Sequence, residues 1–504
     1  MGVDFAPTEG ADAATPSASA QAARELPLCV DLDGTLVRGD TLHEQFLRAL
    51  LRRPLAALAV LFALARGKAA LKRRLSEISP PAAERLLYQP DLLEYLRREK
   101  QRGRTLVLAT AADAHVAEAV AAHLDIFDRV NGSDGVSNLK GAAKAERLVA
   151  LYGRDGFAYA GNSRADVTVW RQAGEVILVN VPPALDAQMS SAGKVSHRFG
   201  APKAPSRLRS LIRAARVYQW VKNALVFVPM LLGHAMFRPG VLRASLLVFV
   251  AFSVTASAVY IINDLFDLDA DRAHPRKRRR PFASGDLPLT YGLLGPVLLV
   301  SGPLLAWAAV SFQTFLMLLV YIAVTSGYSS YLKKRPLVDV FTLAGLYSIR
   351  VLAGGVGARV HMSIWLLGFS LFVFLSLAFL KRTAELRAAR GDNGKADVGR
   401  GYRLADAELL QIMGVASAFT ATMVLSLYLA SDTARAQYLA PTWLWLVVPL
   451  QLFAVCRLWL SAARGYMTDD PIVYALKDRV CWLVFACVAV VFVLATRGPE
   501  LSWL

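Results

Sequence analysis

The sequence predicts two domains of different class: an α/β domain with a helical insertion, then an all-α polytopic membrane domain of about nine transmembrane helices. Charged residues are spread through residues 1–205, whereas apolar runs of about 18 or more residues recur from about Val217 onward. A short apolar strand near the beginning of the chain runs into two closely spaced aspartates. The length of 504 residues is also more than one domain normally uses.

The chain is basic as well as apolar. It has 57 Lys and Arg against 39 Asp and Glu, so its formal charge is +18, and 55% of its residues are hydrophobic. Much of the surplus charge lies between apolar segments, as in membrane proteins, so we predict a membrane partner and no nucleic acid. The four cysteines lack metal-ligand spacing, which argues against a zinc site and against disulfides. They are Cys29, Cys456, Cys481 and Cys487.

Composition divides the chain into four segments. Residues 1–25 are rich in Ala and Ser and lack an apolar core, so we expect a disordered lead-in and no cleavable export signal. Residues 26–200 are predicted to form the α/β domain, residues 201–216 a basic linker, and residues 217–504 the membrane domain. Without an export signal, the first domain is expected in the cytosol.

The first candidate site follows the strand at residues 26–30, which runs into Asp31-Leu32-Asp33-Gly34-Thr35. A carboxylate at a strand end can attack phosphorus and form an aspartyl-phosphate. Asp33 lies two residues on, points to the same side and can protonate the leaving oxygen. The motif resembles the DxDGT signature of the haloacid dehalogenase superfamily. This resemblance implies a Rossmann-like phosphatase fold with a helical cap.

The resemblance also implies roles for later residues. Thr110, after the strand at residues 105–109, would hold a phosphate oxygen, and Lys140 would neutralise the nucleophile and phosphate, with Lys144 as the alternative. Asp31, Asn162 and Asp166 would bind Mg²⁺. The family's usual acid at position 162 is here an amide, which brings no charge to the ion. Two interpretations stay open: an active phosphatase and a degenerate regulatory domain.

About 70 residues separate the first two motifs, and the resemblance implies that they form the cap. Residues 55–65 are unusually apolar but too short to span a bilayer. Five cations follow them: Arg66, Lys68, Lys72, Arg73 and Arg74. One interpretation is a core helix of the cap, and the other is a basic amphipathic surface that touches the membrane.

Nine membrane spans are predicted in the second domain. They lie at about residues 220–237, 241–263, 290–310, 313–332, 338–358, 363–381, 408–430, 442–460 and 480–497. Loops after even-numbered spans are rich in Lys and Arg, and the opposite loops are not. The positive-inside rule therefore places those loops and the first domain in the cytoplasm, at a bacterial-type inner membrane.

The second candidate site is the acidic end of the second span, residues 263–271. Asp264, Asp267 and Asp271 are three to four residues apart, so they share one face of a continuous helix, with Asn263 at its edge and Asp269 off it. Acids so close to a membrane are costly, and they predict a cage for Mg²⁺ that holds a diphosphate. The stretch resembles NDxxDxxxD, the first signature of the UbiA superfamily.

A second, DxxxD-type motif of that superfamily is replaced after span six by Lys381-Arg382-Thr383-Ala384-Glu385. Over about residues 210–500 the chain resembles the decaprenyl-phosphate phosphoribosyltransferase branch. This implies transfer of phosphoribose from phosphoribosyl diphosphate (PRPP) to a polyprenyl phosphate. The residues implied to bind substrates are Lys222, Asn223, Lys277, Arg280, Lys333, Asp339, Lys381, Arg382 and Glu385. For Lys222 and Asn223, a helix start without a ligand is an equal alternative.

The fused phosphatase suggests a second step that removes the 5-phosphate of the product. The rival interpretation is an aromatic prenyltransferase that uses a polyprenyl diphosphate and carries a regulatory haloacid dehalogenase-like domain. The missing DxxxD motif disfavours it.

Overall fold

The computed structural model describes six stretches of the chain. They are residues 26–134, 138–191, 193–200, 205–390, 401–467 and 470–498. The predicted lead-in, residues 1–25, lies outside them. The chain divides into two compact units, Met1–Leu211 with Asp264–Gly292, and Ile212–Asn263 with Leu293–Leu504. The segment after the second predicted span therefore groups with the α/β domain in this division.

The first unit contains a six-stranded parallel sheet of order β3-β2-β1-β4-β5-β6. The strands are β1 Leu28–Val30, β2 Leu106–Asp113, β3 Arg129–Ser133, β4 Ala158–Gly161, β5 Glu175–Val179 and β6 Val195–Phe199. The three residues of β1 are fully buried, as expected for a strand covered on both faces. Strand order reverses between β1 and β4, and ligands of such sheets bind at the carboxyl end of that point.

Helices of the first unit cover this sheet and build the insertion. They are α1 Thr41–Arg52, α2 Pro54–Val60, α3 Lys68–Ile78, α4 Pro90–Gln101, α5 Ala114–Leu124, α6 Ala142–Tyr152, α7 Val167–Trp170 and α8 Pro183–Ser190. Helices α1 to α3, with the 3₁₀ helix Leu61–Arg66, lie between β1 and β2 and form the cap. Asp40 caps α1 by accepting hydrogen bonds from the backbone of Leu42 and His43.

Two local predictions need correction. Strand β2 continues to Asp113, so Thr110 lies inside the strand and not at its end. The predicted linker contains a helix, α9 Arg207–Ala214, since its Leu and Ile residues alternate with arginines at helical spacing.

The remaining helices follow in chain order. They are α10 Val228–Leu232, α11 Val241–Phe266, α12 Leu268–Ala273, α13 Leu294–Ala309, α14 Phe312–Ser330, α15 Val338–Ala358, α16 Ile364–Arg390, α17 Asp406–Ala430, α18 Asp432–Gln437, α19 Val447–Ala463, α20 Pro471–Lys477 and α21 Arg479–Arg497. In the described part of the chain, eight helices are long and apolar enough to cross a membrane. The chain is therefore a multi-pass membrane protein.

The prediction of nine long spans was wrong at the first one. Residues 220–237 form part of the 3₁₀ helix Val217–Phe227 and the five-residue α10. Side chains of the segment bond to α11: Trp220 Nε1 donates to Ser257 Oγ (2.9 Å) and Asn223 Nδ2 to Ser253 Oγ (3.0 Å). These bonds join the segment to α11.

Candidate functional sites

A cavity of about 250 Å³ is lined by the residues that follow β1 and β4, by the end of β2 and by the cap. Five carboxylates and three lysines are among its lining residues. They are Asp31, Asp33, Asp40, Asp113 and Asp166, and Lys72, Lys140 and Lys144. The surplus of carboxylates suits a cation, and the lysines suit a phosphate.

Asp31 is buried at the end of β1, and Lys144 Nζ lies 2.7 Å from its Oδ1. Lys144 also donates to the Tyr159 hydroxyl (2.8 Å), which donates to Asp166 Oδ1 (2.9 Å). Burial raises the pKa of Asp31, and the ammonium group of Lys144 opposes the rise. The lysine that contacts Asp31 is therefore Lys144, while Lys140 lines the cavity without this contact.

Asp33 lies at the junction between β1 and the cap. Its Oδ1 accepts the backbone N–H of Thr41 (2.8 Å) at the start of the cap. Burial raises the pKa of Asp33 to about 7, and the Asp40 carboxylate adds to the rise. Gly34 makes this turn possible because its φ is +77° and a Cβ there would meet Asn162 Nδ2 at 2.1 Å.

Asp166 organises the loop after β4. Its Oδ2 accepts from the backbone of Asn162 (3.2 Å) and from the backbone and hydroxyl of Ser163 (both 3.0 Å). The Asn162 side chain faces the cavity beside Gly34. Thr110 is buried, and its hydroxyl accepts the backbone N–H of Ala112 (3.0 Å). The cavity wall at β2 is made by residues 111–113.

The acidic stretch does not form one continuous helix. Helix α11 ends at Phe266, and Asp267 stands at the junction before α12. Arg280 Nη1 joins the two flanking acids, at 3.1 Å from Asp264 Oδ1 and 2.7 Å from Asp271 Oδ2. In the described residues no group of three His, Cys, Asp or Glu side chains is placed to hold a metal ion. Of the three predicted acids, Asp264 and Asp271 are thus bridged by an arginine, and Asp267 stands between their two helices, where its charge acts on Asp271.

This pair retains capacity for a cation. Asp271 Oδ1 is buried and has no hydrogen-bond partner in the described structure. Burial raises the pKa of Asp271, against the effect of the Arg280 guanidinium. A buried carboxylate oxygen without a donor is costly, and a bound cation relieves that cost. The oxygen donors of Asp264 and Asp271 therefore fit Mg²⁺.

Asp269 faces another way, as its position off the predicted face implied. Its carboxylate contacts Arg48 and Arg85 of the first unit, each at 3.0 Å. Burial opposes ionisation, but these hydrogen bonds keep the pKa of Asp269 below its usual value. Arg272 binds Glu44 of α1 at 2.9 Å. These contacts bind α12 to the cap within the first unit.

In the second unit, the Asp470 carboxylate binds two lysines. Lys222 Nζ lies 2.7 Å and Lys381 Nζ 3.0 Å from Asp470 Oδ2, and the Tyr347 hydroxyl donates to the same oxygen at 3.4 Å. Burial opposes ionisation, but the two ammonium groups hold the pKa of Asp470 below its usual range. We call these three charged residues the lysine cluster. It contains two cations for one carboxylate in a largely buried position.

The other predicted substrate residues lie in different surroundings. Arg382 is 1% exposed and is engaged by Asp339, Glu385 and the hydroxyl of Tyr328, so its surroundings are those of a structural residue. Asn263 Nδ2 donates to Ser329 Oγ at 3.1 Å. Lys277 is exposed, and Lys333 lies in the 3₁₀ helix Leu332–Lys334.

Asn223 is held by a residue that sequence reasoning missed. Arg350 Nε donates to Asn223 Oδ1 (2.8 Å), and Arg350 Nη2 donates to the Tyr321 hydroxyl (3.1 Å). Arg350 lies within the membrane-spanning helix α15. A single arginine within an apolar span is costly and usually has a functional or structural role, and this signal in the sequence could have identified Arg350.

Comparison with known proteins decides the family. Residues 226–477 match the UbiA prenyltransferase family, and residues 28–171 match the haloacid dehalogenase-like hydrolases. The chain belongs to the UbiA prenyltransferase family. A relative from Sinorhizobium fredii, named uncharacterized protein y4nM, is 35% identical over 474 residues, 94% of this chain and 91% of its own length.

Two further relatives match the UbiA part. Nodulation protein NoeC from Azorhizobium caulinodans is 33% identical over 299 residues, 57% of this chain and 94% of its own length. A decaprenyl-phosphate phosphoribosyltransferase from Mycolicibacterium smegmatis is 33% identical over 297 residues, 57% of this chain and 91% of its own length. The predicted resemblance to UbiA and haloacid dehalogenase-like proteins is confirmed, as is the fold class of each part.

Proposed function

We propose that this UbiA-family enzyme transfers 5-phosphoribose from PRPP to a polyprenyl phosphate, and that its haloacid dehalogenase-like domain then removes the 5-phosphate. The lysine cluster carries the proposal. Among the described residues, Lys222 and Lys381 share one carboxylate, so these three side chains have surplus positive charge that a phosphate group would neutralise. The name of the mycolicibacterial relative supports the same donor and acceptor.

In the transfer step, a phosphate oxygen of the acceptor forms a bond to C1 of the ribose. The bond from C1 to the diphosphate oxygen breaks, and diphosphate leaves with the electron pair. Asp264 and Asp271 would hold Mg²⁺, which neutralises charge on a diphosphate leaving group when bound. Arg280, already between these acids, can turn its N–H groups to the diphosphate. In the second unit, the lysine cluster would bind a substrate phosphate.

In the second step, an Asp31 oxygen attacks phosphorus and the bond to the sugar oxygen breaks. Asp33 gives its proton to that oxygen, and water then hydrolyses the aspartyl-phosphate to release inorganic phosphate. Lys144 neutralises the Asp31 carboxylate and the approaching phosphate. Asp31 and Asn162 line the same cavity and would offer oxygen ligands to Mg²⁺, with Asp166 fixing the loop after β4 that carries Asn162. The ion screens the charge of the phosphate when bound.

The proposed location is a bacterial-type inner membrane with the phosphatase domain in the cytoplasm. The cation-rich loops that follow alternate spans support this orientation. A cytoplasmic phosphatase would meet the product on the side where PRPP is used.

Full-length protein in detergent, supplied with Mg²⁺, labelled PRPP and a polyprenyl phosphate, tests the proposal. Lys222→Ala and Lys381→Ala should each lower kcat/KM for transfer by roughly 10- to 100-fold, since a hydrogen bond to a charged group contributes about 1.5–3 kcal/mol. Lys334→Ala, at an exposed lysine, is the matched control and should keep wild-type activity. Equal activity of all three variants, or turnover only with a prenyl diphosphate and an aromatic acid, would contradict the proposal.

A further inference from the structure

The most exposed apolar surface of residues 26–200 is the turn of the cap at residues 54–68, which we call the cap tip. It comprises α2, the 3₁₀ helix Leu61–Arg66 and the residues that follow. Its exposed side chains are Leu55 (83%), Leu58 (51%), Leu61 (45%), Phe62 (84%) and Leu64 (49%). Among the described residues of 26–200, Leu151 is the only other exposed large hydrophobic residue. A contiguous apolar surface of this kind indicates an interaction site.

The cap tip is a folded element with an inner and an outer face. Ala57 and Val60 are buried and pack with Ala49 of α1 and Leu75 of α3. The leucines and Phe62 therefore point outward from a tip that already has its core. The interpretation of residues 55–65 as only a core helix does not fit this exposure.

The charge around the cap tip identifies its partner. From Gln45 to Ser76 the sequence contains no Asp or Glu and eight cations: Arg48, Arg52, Arg53, Arg66, Lys68, Lys72, Arg73 and Arg74. Arg52, Arg53, Arg66 and Lys68 are exposed beside the apolar side chains. An apolar centre flanked by cations matches a lipid surface with anionic headgroups. A second copy of the same surface would be repelled by like charge.

The helix that leads into the cap tip adjoins the end of a membrane span. Leu47 and Leu51 of α1 line a crevice of about 170 Å³ with Leu265 and Phe266, all within the first unit. Phe266 ends α11, which is long and apolar enough to cross a membrane. The helix at the base of the cap tip thus lines a crevice with the last residues of α11.

The cap tip also connects directly to the phosphatase cavity. Lys72, one turn into α3, lines the cavity, and its Nζ donates to the Ala111 carbonyl and to Asn138 Oδ1. At 1.5 Å per residue, Lys72 is only about 6 Å along the helix from Lys68. We propose that the cap tip inserts into an anionic lipid surface, so that the cavity receives phosphomonoesters carried on membrane lipids. The assignment of this substrate class rests on the proposed phosphatase step. Insertion of the cap tip into the lipid surface does not depend on that step.

Depth-dependent quenching tests the insertion. The native cysteines are replaced, and the fluorophore NBD is attached at Phe62→Cys in full-length protein in vesicles of phosphatidylglycerol and phosphatidylcholine. The matched control is Leu151→Cys, the other exposed site of the same domain. We expect a blue-shifted emission and at least about twofold quenching by doxyl-labelled lipids at position 62, and neither at position 151. If NBD at position 62 emits at the wavelength typical of water and is not quenched by doxyl lipids, the cap tip does not insert. A blue shift that appears only when the protein density in the vesicles is raised would also overturn the insertion, because it would report contact between proteins.

Substrate class is tested with Leu55→Ser/Phe62→Ser. We expect hydrolysis of a lipid-borne phosphomonoester in vesicles to fall about tenfold, while hydrolysis of p-nitrophenyl phosphate stays unchanged. Leu151→Ser should change neither rate. Unchanged hydrolysis of the lipid substrate would overturn the assigned substrate class. Absence of phosphatase activity in the wild type would refute the proposed phosphatase step, while the quenching result would still decide the insertion.

Discussion

The proton on Asp33 predicts the alkaline limit of the phosphatase. Its pKa is raised to about 7, first by burial and then by Asp40. A general acid must carry its proton, so the rate should fall about tenfold per pH unit well above pH 7. Asp40→Asn removes the neighbouring charge, while the amide oxygen can still cap α1.

The size and sign of the effect of Asp40→Asn on the pH profile follow from the causes that raise the pKa of Asp33. Without the like charge, ionised Asp33 is less unfavourable, so its pKa falls. The alkaline limb of the pH–rate profile, where the rate decreases with pH, therefore moves to lower pH. Burial is the larger cause, so Asp40→Asn should move the limb by only about 0.5–1 pH unit. The rate at pH 8.5 should then fall roughly three- to tenfold, and the rate at pH 5.5 should not change.

The assay is hydrolysis of a soluble phosphomonoester by full-length protein in detergent between pH 5 and 9. Asp91→Asn removes an exposed acid on α4 and is the matched control for net charge. A limb that stays in place in Asp40→Asn, that moves to higher pH, or that moves equally in Asp91→Asn would refute the role assigned to Asp33.

Three further predictions concern the metal sites and the membrane domain. Asp264→Asn should abolish transfer in a correctly folded protein, whereas Asp269→Asn should retain the transfer reaction; equal loss in the labelled-PRPP assay would contradict the assignment of the acidic pair. Asn162→Asp should lower the Mg²⁺ concentration for half-maximal phosphatase activity several-fold, because it adds a charged ligand; an unchanged Mg²⁺ titration would exclude Asn162 as a ligand. Arg382→Met should destabilise the protein by about 3–5 kcal/mol, since it leaves buried Asp339 unpaired; thermal unfolding identical to wild type would show that the pair is dispensable.

The fold was predictable wherever a local pattern carried the information. A buried strand that ends in Asp31 predicts both the sheet and its active edge, and long apolar runs predict the eight spanning helices. The first predicted span differs, since residues 217–232 form a shorter apolar helix whose side chains bond to Ser253 and Ser257, 30 or more residues away in sequence. A hydropathy profile does not include contacts between residues that are distant in sequence.

The sequence predicts which types of residue gather at the candidate sites, but not which side chains contact each other. Lys140 and Lys144 are one turn apart on either side of the start of α6, so spacing could not decide which lysine reaches Asp31. The one-face argument assumed a continuous helix, but α11 ends before Asp267. Aspartate competes with helical hydrogen bonding and so often marks such ends.

The most direct test of the central claim is the mass of the lipid product made from labelled PRPP and a polyprenyl phosphate in the presence of Mg²⁺. Asp31→Asn removes the proposed nucleophile of the phosphatase step and leaves the membrane domain unchanged. The wild type should yield polyprenyl-phosphoryl ribose without a 5-phosphate, and Asp31→Asn should accumulate the 5-phosphorylated lipid. The same ratio of the two lipids in both proteins would contradict the second step, and absence of any ribose-bearing lipid would contradict the first.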